Sequence, residues 1–100
     1  MLLYNVTVGV DKSAEHEWLH WMKTEHILDV LNTGMFIEAK IYKILHQGEE
    51  ETVSYSIQYF AETLSHVEQY LEKFAPALRE EVSKRFEGKQ VAFRTLLEEV

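Results

Sequence analysis

Cysteine is absent from this chain of 100 residues. That excludes disulfides and thiol nucleophiles, and it removes the thiolates of most structural zinc sites. It also fits a reducing compartment, and the cytoplasm is the expected location. Glycine occurs four times, always singly, so there is no Gly-rich loop to cradle a phosphate and no G-x-S-x-G elbow. No stretch approaches the roughly 20 apolar residues that cross a bilayer. The opening Met1-Leu2-Leu3-Tyr4-Asn5-Val6 has neither the basic start nor the long apolar run of a secretory signal. Basic residues are scarce: ten Lys+Arg against seventeen Asp+Glu leave a net charge of -7. Without a basic stripe to offset it, that charge argues against nucleic acid and against anionic membrane surfaces as partners.

What is present is a core. Hydrophobic residues make up 46% of the chain and aromatics 12%, too much for disorder. One hundred residues suit a single domain over 1–100, able to bury roughly two-thirds of its unfolded surface.

Leu2 to Val10 alternates, with Leu2, Tyr4, Val6, Val8 and Val10 on one side, as a half-buried strand does. Asp11-Lys12-Ser13 then supplies N-cap residues. Trp18, Trp21 and Met22 come next at helical spacing. At about 100° per residue, Ile27, Val30 and Leu31 would point almost opposite to Trp18 and Met22. The helix must therefore break or kink near Glu25-His26 before a short turn that closes at Asn32-Thr33-Gly34. Phe36–His46 and Thr52–Phe60 read as strands joined by the polar hairpin Gln47-Gly48-Glu49-Glu50-Glu51. Ser65-x-x-Glu68 has the form of a capping box. Leu64, Val67, Leu71, Phe74, Leu78 and Val82 then hold one helical stripe, with Pro76 outward, where it kinks or restarts the helix. Gly88 ends that helix, and Val91, Phe93 and Thr95 alternate with Ala92, Arg94 and Leu96 in a last strand.

The order predicts an α+β fold, β-α-β-β-α-β. Two helices cover one face of a four-stranded antiparallel sheet in the ferredoxin-like arrangement. The expected helix-facing set includes Tyr4, Val6, Val8, Ile37, Ala39, Ile41, Tyr55, Ile57, Val91 and Phe93. The expected opposite face carries Asn5, Thr7, Glu38, Lys40, Tyr42, Ser54, Ser56, Gln58, Arg94 and Leu96. Such a mixed face suits a partly wet interface with a second copy. Homodimerisation through Lys40, Tyr42, Ser56, Gln58 and Arg94 is the expectation, with Arg94 pairing with Glu38 or an acid of the partner, or else holding an anion on that face.

Several stretches support a resemblance: Tyr4-Asn5-Val6-Thr7, Trp18-x-x-Trp21-Met22-x-x-Glu25-His26-Ile27, Thr33-Gly34-x-Phe36, Gln58-Tyr59, Ala75-Pro76-Ala77-Leu78-Arg79 and Phe93-Arg94-Thr95. In that order they are similar to an uncharacterised bacterial family, domain of unknown function 4286. The resemblance implies a ferredoxin-like fold related to the dimeric α+β barrels and no established activity. That family commonly carries proline two positions after the helix-1 histidine. Here Leu28 stands there, so the kink rests on phase alone.

Two groups of residues invite chemistry. His16-Glu17-Trp18-Leu19-His20 is a literal H-E-x-x-H, the zinc-binding pattern of metalloproteases. Its histidines lie about 160° from the Trp18–Met22 stripe, toward solvent. The expectation is a solvated helix face, with no resident metal or cofactor beyond adventitious nickel or zinc. The other group is His26 with Glu25 at the kink, near Tyr4, Trp21, Tyr55 and Tyr59. A histidine there has the titration range of an acid/base, and the aromatic surroundings suit a small organic ligand. By resemblance, dimeric α+β barrels include cofactor-independent oxygenases, isomerases and dehydratases. The competing reading makes His26 a brace for the kink and the tryptophans plain core. Two functions stay open: a dimeric module that binds a small ligand or a protein, and a cofactor-independent enzyme using His26.

Overall fold

A computed structural model of the chain describes residues 1–45 and 51–100. Strand β1 (Leu2–Asp11) leads through a 3-10 turn into α1 (Glu15–Trp21), a π-turn (Met22–His26) and α2 (Ile27–Leu31). Strands β2 (Glu38–Lys43) and β3 (Thr52–Ala61) come after it. A second helical rod then runs as α3 (Leu64–Gln69), a π-turn (Tyr70–Phe74) and α4 (Ala75–Arg85), and β4 (Gln90–Glu98) closes the chain. The sheet is antiparallel with order β2-β3-β1-β4. This is the ferredoxin-like arrangement expected from the element order. The expected strand end at His46 and the connection Gln47 to Glu50 lie outside the described residues. Among the described residues, no helix is long and apolar enough to cross a membrane.

Local chemistry explains the boundaries. The Asp11 carboxylate accepts from the Ser13 amide at 2.9 Å and the Ser13 hydroxyl at 2.8 Å, and the amide contact, then the hydroxyl one, hold it below the usual carboxylate range. Gly34 closes the first rod at φ 81° and Gly88 the second at φ 72°, backbone positions that side chains resist. The cap of α3 is Thr63, whose hydroxyl accepts from the His66 amide at 3.3 Å. The expected Ser65–Glu68 box is therefore displaced by two residues.

The break near Glu25-His26 proves to be a π-turn within a continuous rod. The Ile27 amide donates to the Met22 carbonyl, five residues back. One extra residue in the turn rotates α2 by about 100° relative to α1. In unbroken α-helical phase Glu25 would fall on the stripe of Trp18, Trp21 and Met22. Instead Glu25 is exposed, and His26, Ile27 and Val30 are buried. The second rod repeats the device: the Ala75 amide donates to Tyr70, and Pro76 sits in the first turn of α4. Tyr70 and Ala75 are buried there, whereas Leu64 and Leu71, expected in the stripe, are exposed.

The core lies between the sheet and these rods, built on Tyr4, Val8 and Val10 of β1 and on Val53, Tyr55, Ile57, Tyr59 and Ala61 of β3. The expected faces of β1 and β3 are observed. For β4 the register reverses the expectation. Tyr4 pairs with Leu96, Val6 with Arg94, Thr7 with Phe93 and Gly9 with Val91. Paired residues share a face, so Arg94 and Leu96 are on the helix side. Val91 and Phe93, 76% and 64% exposed, are on the open side. Both parities of 91–96 carry apolar residues, and a one-residue slip exchanges the faces. Ile37, expected inward, precedes β2 and is 56% exposed.

Candidate functional site

Strand β4 is an edge strand that the rods leave partly uncovered: Gln90 and Ala92 are half-buried, and Arg94 is exposed. The gap above β1 and β4 forms a cavity of about 290 Å³. Its floor is Tyr4, Val6 and Val8 with Ile57 and Tyr59. Met22 and His26 come from the first π-turn, Tyr70 from the second, and Arg79 from α4. Arg94 and Glu87 add charge to the lining, beside polar Ser83 and Gln90.

The His26 side chain is in the cavity wall because the π-turn turned it inward. Its residue is only 9% exposed, and its ring stacks on Trp21 at 5.2 Å and 26°. Nδ1 is buried without a hydrogen-bond partner, as is Nε1 of Trp21. Burial pushes the imidazole from the usual 6.5 down to about 4; Asp29 opposes the shift and Arg94 adds to it. His26 is therefore neutral at pH 7 and brings an imidazole ring rather than a charge to the wall.

The opposite wall is aromatic. Tyr4 stacks on Phe36 at 5.9 Å and approaches Tyr70 at 5.8 Å, and Phe36 meets Tyr59 at 5.4 Å. Arg79 Nη2 donates to the Tyr4 hydroxyl at 2.9 Å. Burial pushes the Tyr70 phenol up to about 12, with Tyr4 adding to the shift and Arg79 and Arg94 opposing it. Burial also raises Tyr59 far above its usual range. The Tyr59 and Tyr70 phenols therefore stay neutral, and the charged groups of the lining are two guanidiniums and one carboxylate.

The cavity thus brings together His26, Tyr4 and Tyr59 of the residues singled out from sequence. It leaves out Glu25, which the π-turn turns to solvent. Trp21 backs His26 rather than lining the cavity. Tyr55 belongs to a separate contact, packing on Trp18 at 5.1 Å and donating to Glu15 Oε2 at 2.6 Å. Burial, then that hydrogen bond, pushes Tyr55 up to about 12. Arg94 moves from the open sheet face to the cavity. Glu38, offered as its partner, lies on the open face beside Lys40, 4.0 Å away. Sequence reading missed Tyr70 and Arg79. Tyr70 lies three residues after Val67, a helical spacing, and Arg79 closes one of the motifs that carried the resemblance.

His16 and His20 are exposed on either side of fully buried Trp18. Among the described residues, no three His, Asp or Glu side chains gather as metal ligands.

Lys40, Tyr42, Ser56 and Gln58 do share the open sheet face, Lys40 opposite Gln58 and Tyr42 opposite Ser56. Four of its polar side chains bond to one another. Gln58 Nε2 donates to Ser56 Oγ at 3.4 Å, Ser56 Oγ to Asn5 Oδ1 at 2.6 Å, and Asn5 Nδ2 to Thr7 Oγ1 at 3.0 Å.

Comparison with known proteins places this geometry. A family model described as Domain of unknown function (DUF4286) matches residues 1–100. No curated protein matches the chain. Among solved structures, the chain is similar to HapK from Hahella chejuensis, with TM-score 0.72, 7% identity, and coverage of 100% of this chain and 93% of that one. It is similar to a dimeric ferredoxin-like protein from an uncultured marine organism, with TM-score 0.69, 14% identity, and 100% and 95% coverage. It is also similar to a mutant of SnoaB, a cofactor-independent oxygenase from Streptomyces nogalater, with TM-score 0.60, 8% identity, and 98% and 92% coverage. At such identities the likeness shows the fold alone.

Proposed function

This chain belongs to the family described as Domain of unknown function (DUF4286), and we propose that it is a homodimeric module that binds a small organic ligand in the cavity beside His26. The observation that carries this reading is the cavity itself. About 290 Å³ of space is at the lower end of small-molecule sites. A buried neutral imidazole and a wall of neutral phenols offer orienting hydrogen bonds, while the aliphatic floor supplies apolar contact.

A second reading is a cofactor-independent enzyme with His26 as acid/base. The place of His26 in the cavity lining supports it, as does the fold shared with a cofactor-independent oxygenase. Against it stands the basicity of the group. A base poised near 7 is suited to neutral pH, and an imidazole at about 4 is not. Binding without turnover is therefore favoured.

The dimer uses the open sheet face. Exposed Val91, Phe93 and Tyr42 supply apolar area, and the bonds along Gln58–Ser56–Asn5–Thr7 satisfy part of the polar groups that a partner would cover. A dimeric protein of the same ferredoxin-like fold supports a dimeric assembly. The net charge of -7 disfavours nucleic acid and membrane surfaces as partners, and the absence of cysteine suits a bacterial cytoplasm.

A fragment screen by 1H–15N NMR tests the binding reading. One- and two-ring compounds at millimolar concentration should shift the amides of Tyr4, Met22, His26 and Val82. Shifts only at remote residues, or none from a broad set, would overturn it.

A further inference from the structure

The chain has three arginines, Arg79, Arg85 and Arg94, and all three gather around this site. Arg79 and Arg94 line the cavity, and Arg85 lies over the Trp21 ring at 5.1 Å. Among the described residues, the ion pairs join Lys40 to Glu38, Lys43 to Glu15 and Lys84 to Glu80. Every one uses a lysine. Arg79 spends one N–H on Tyr4, and Arg94 has no carboxylate within ion-pair reach among the described residues. Glu87 is the carboxylate of the lining, so two guanidiniums face one acid while His26 is neutral. The local balance is positive in a chain whose total is -7.

The field of these guanidiniums reaches the interior groups. Arg94 helps hold the His26 proton off, and both arginines act against the rise of Tyr70. Arginine also differs from lysine in kind: its planar fork matches a carboxylate and stacks flat beside rings. Beside them the lining includes the rings of Tyr4, Tyr59, Tyr70 and His26 above the aliphatic floor of Val6, Val8 and Ile57.

The geometry points to a planar aromatic carboxylate as the ligand, its ring among Tyr4, Tyr59 and Tyr70 and its carboxylate on Arg94 and Arg79. This rests on the reading of the cavity as a binding site and names what that site selects. The global charge repels anions, so an anion preference at this cavity has to come from the two arginines.

Titrating the 15N-labelled full chain with 2-naphthoate and with 2-naphthamide separates the two claims. Both probes should shift the cavity amides, with naphthoate the tighter by about tenfold or more, as expected for charge-assisted contacts. Arg94→Gln should remove most of the preference for naphthoate, the remainder coming from Arg79. Arg94→Lys, which keeps the charge and loses the fork, should retain part of the preference. Arg94 is exposed on an edge strand, so these variants should fold, and matched spectra verify it. Equal affinities of the two probes at the cavity overturn the anion assignment and leave the cavity reading standing. Shifts elsewhere, or with neither probe, overturn the aromatic-carboxylate assignment, and the fragment screen then decides the cavity reading.

Discussion

Acid titration of the fold isolates His26, because protonating that side chain requires the folded state to accept a charge in a buried site. The imidazole titrates near 6.5 when exposed and near about 4 in place. Between those values the unfolded chain holds the extra proton and the native chain does not. Stability is therefore complete above pH 6.5 and falls as the pH drops toward 4. The loss due to this one group is about 1.5 kcal/mol at pH 5.5 and about 2.5 kcal/mol at pH 4.5. Urea denaturation at several pH values, at fixed protomer concentration, measures it for the wild type and for His26→Gln. The low-lying Asp11 and Glu15 carboxylates and every other group outside position 26 are common to both proteins, so their contributions cancel. With a urea slope of about 1–3 kcal/mol/M, the wild-type midpoint should fall by roughly 1–2 M more than that of the variant between pH 7 and 4.5. Parallel curves over that range would refute the placement of a neutral imidazole in the wall.

Three further outcomes are expected. Phe93→Glu puts a charge in the exposed apolar part of the open sheet face and should leave a folded monomer by sedimentation; a wild type already monomeric at micromolar concentration would sink the interface. Gly34→Ala forces a side chain to φ 81° and should cost about 1 kcal/mol by chemical denaturation, so an unchanged midpoint would contradict that backbone. Trp18→Ala removes a fully buried ring and its 2.8 Å hydrogen bond to Gln90. It should cost about 3–5 kcal/mol, and a loss below about 1 kcal/mol would refute the packing.

The parts of the fold that could be read from sequence were those with one strong period and one clear face. β1 and β3 are central strands whose inward residues are apolar and whose outward residues are polar, so alternation fixed their parity. β4 is an edge strand with apolar residues at both parities, and only pairing with β1 decides its face. That ambiguity misplaced Arg94, and with Arg94 the charged half of the site. The second rod failed for a related reason. Leu71 and Tyr70 both fit a helical stripe from Val67, and Tyr70 is selected by the ring cluster of Tyr4, Phe36 and Tyr59, contributed by distant parts of the chain.

The break in the first rod was legible because the phase of its apolar residues changes, and that change has a functional consequence. A helix that kept its period would have turned Glu25 inward, placing an ionisable carboxylate over a floor of Tyr4, Val6 and Val8. The extra residue of the π-turn exchanges it for His26, whose neutral form can be buried at much lower cost. The second rod carries its own π-turn, and there Tyr70 enters the same cavity. Helices rarely hold such turns, which give up regular hydrogen bonding and are found often at functional sites. Two of them here flank one space, and each begins or ends on a residue that lines it. Core packing alone would have been served by regular helices with an aliphatic stripe. The irregularity is therefore best explained by the polar and aromatic groups it delivers to the cavity.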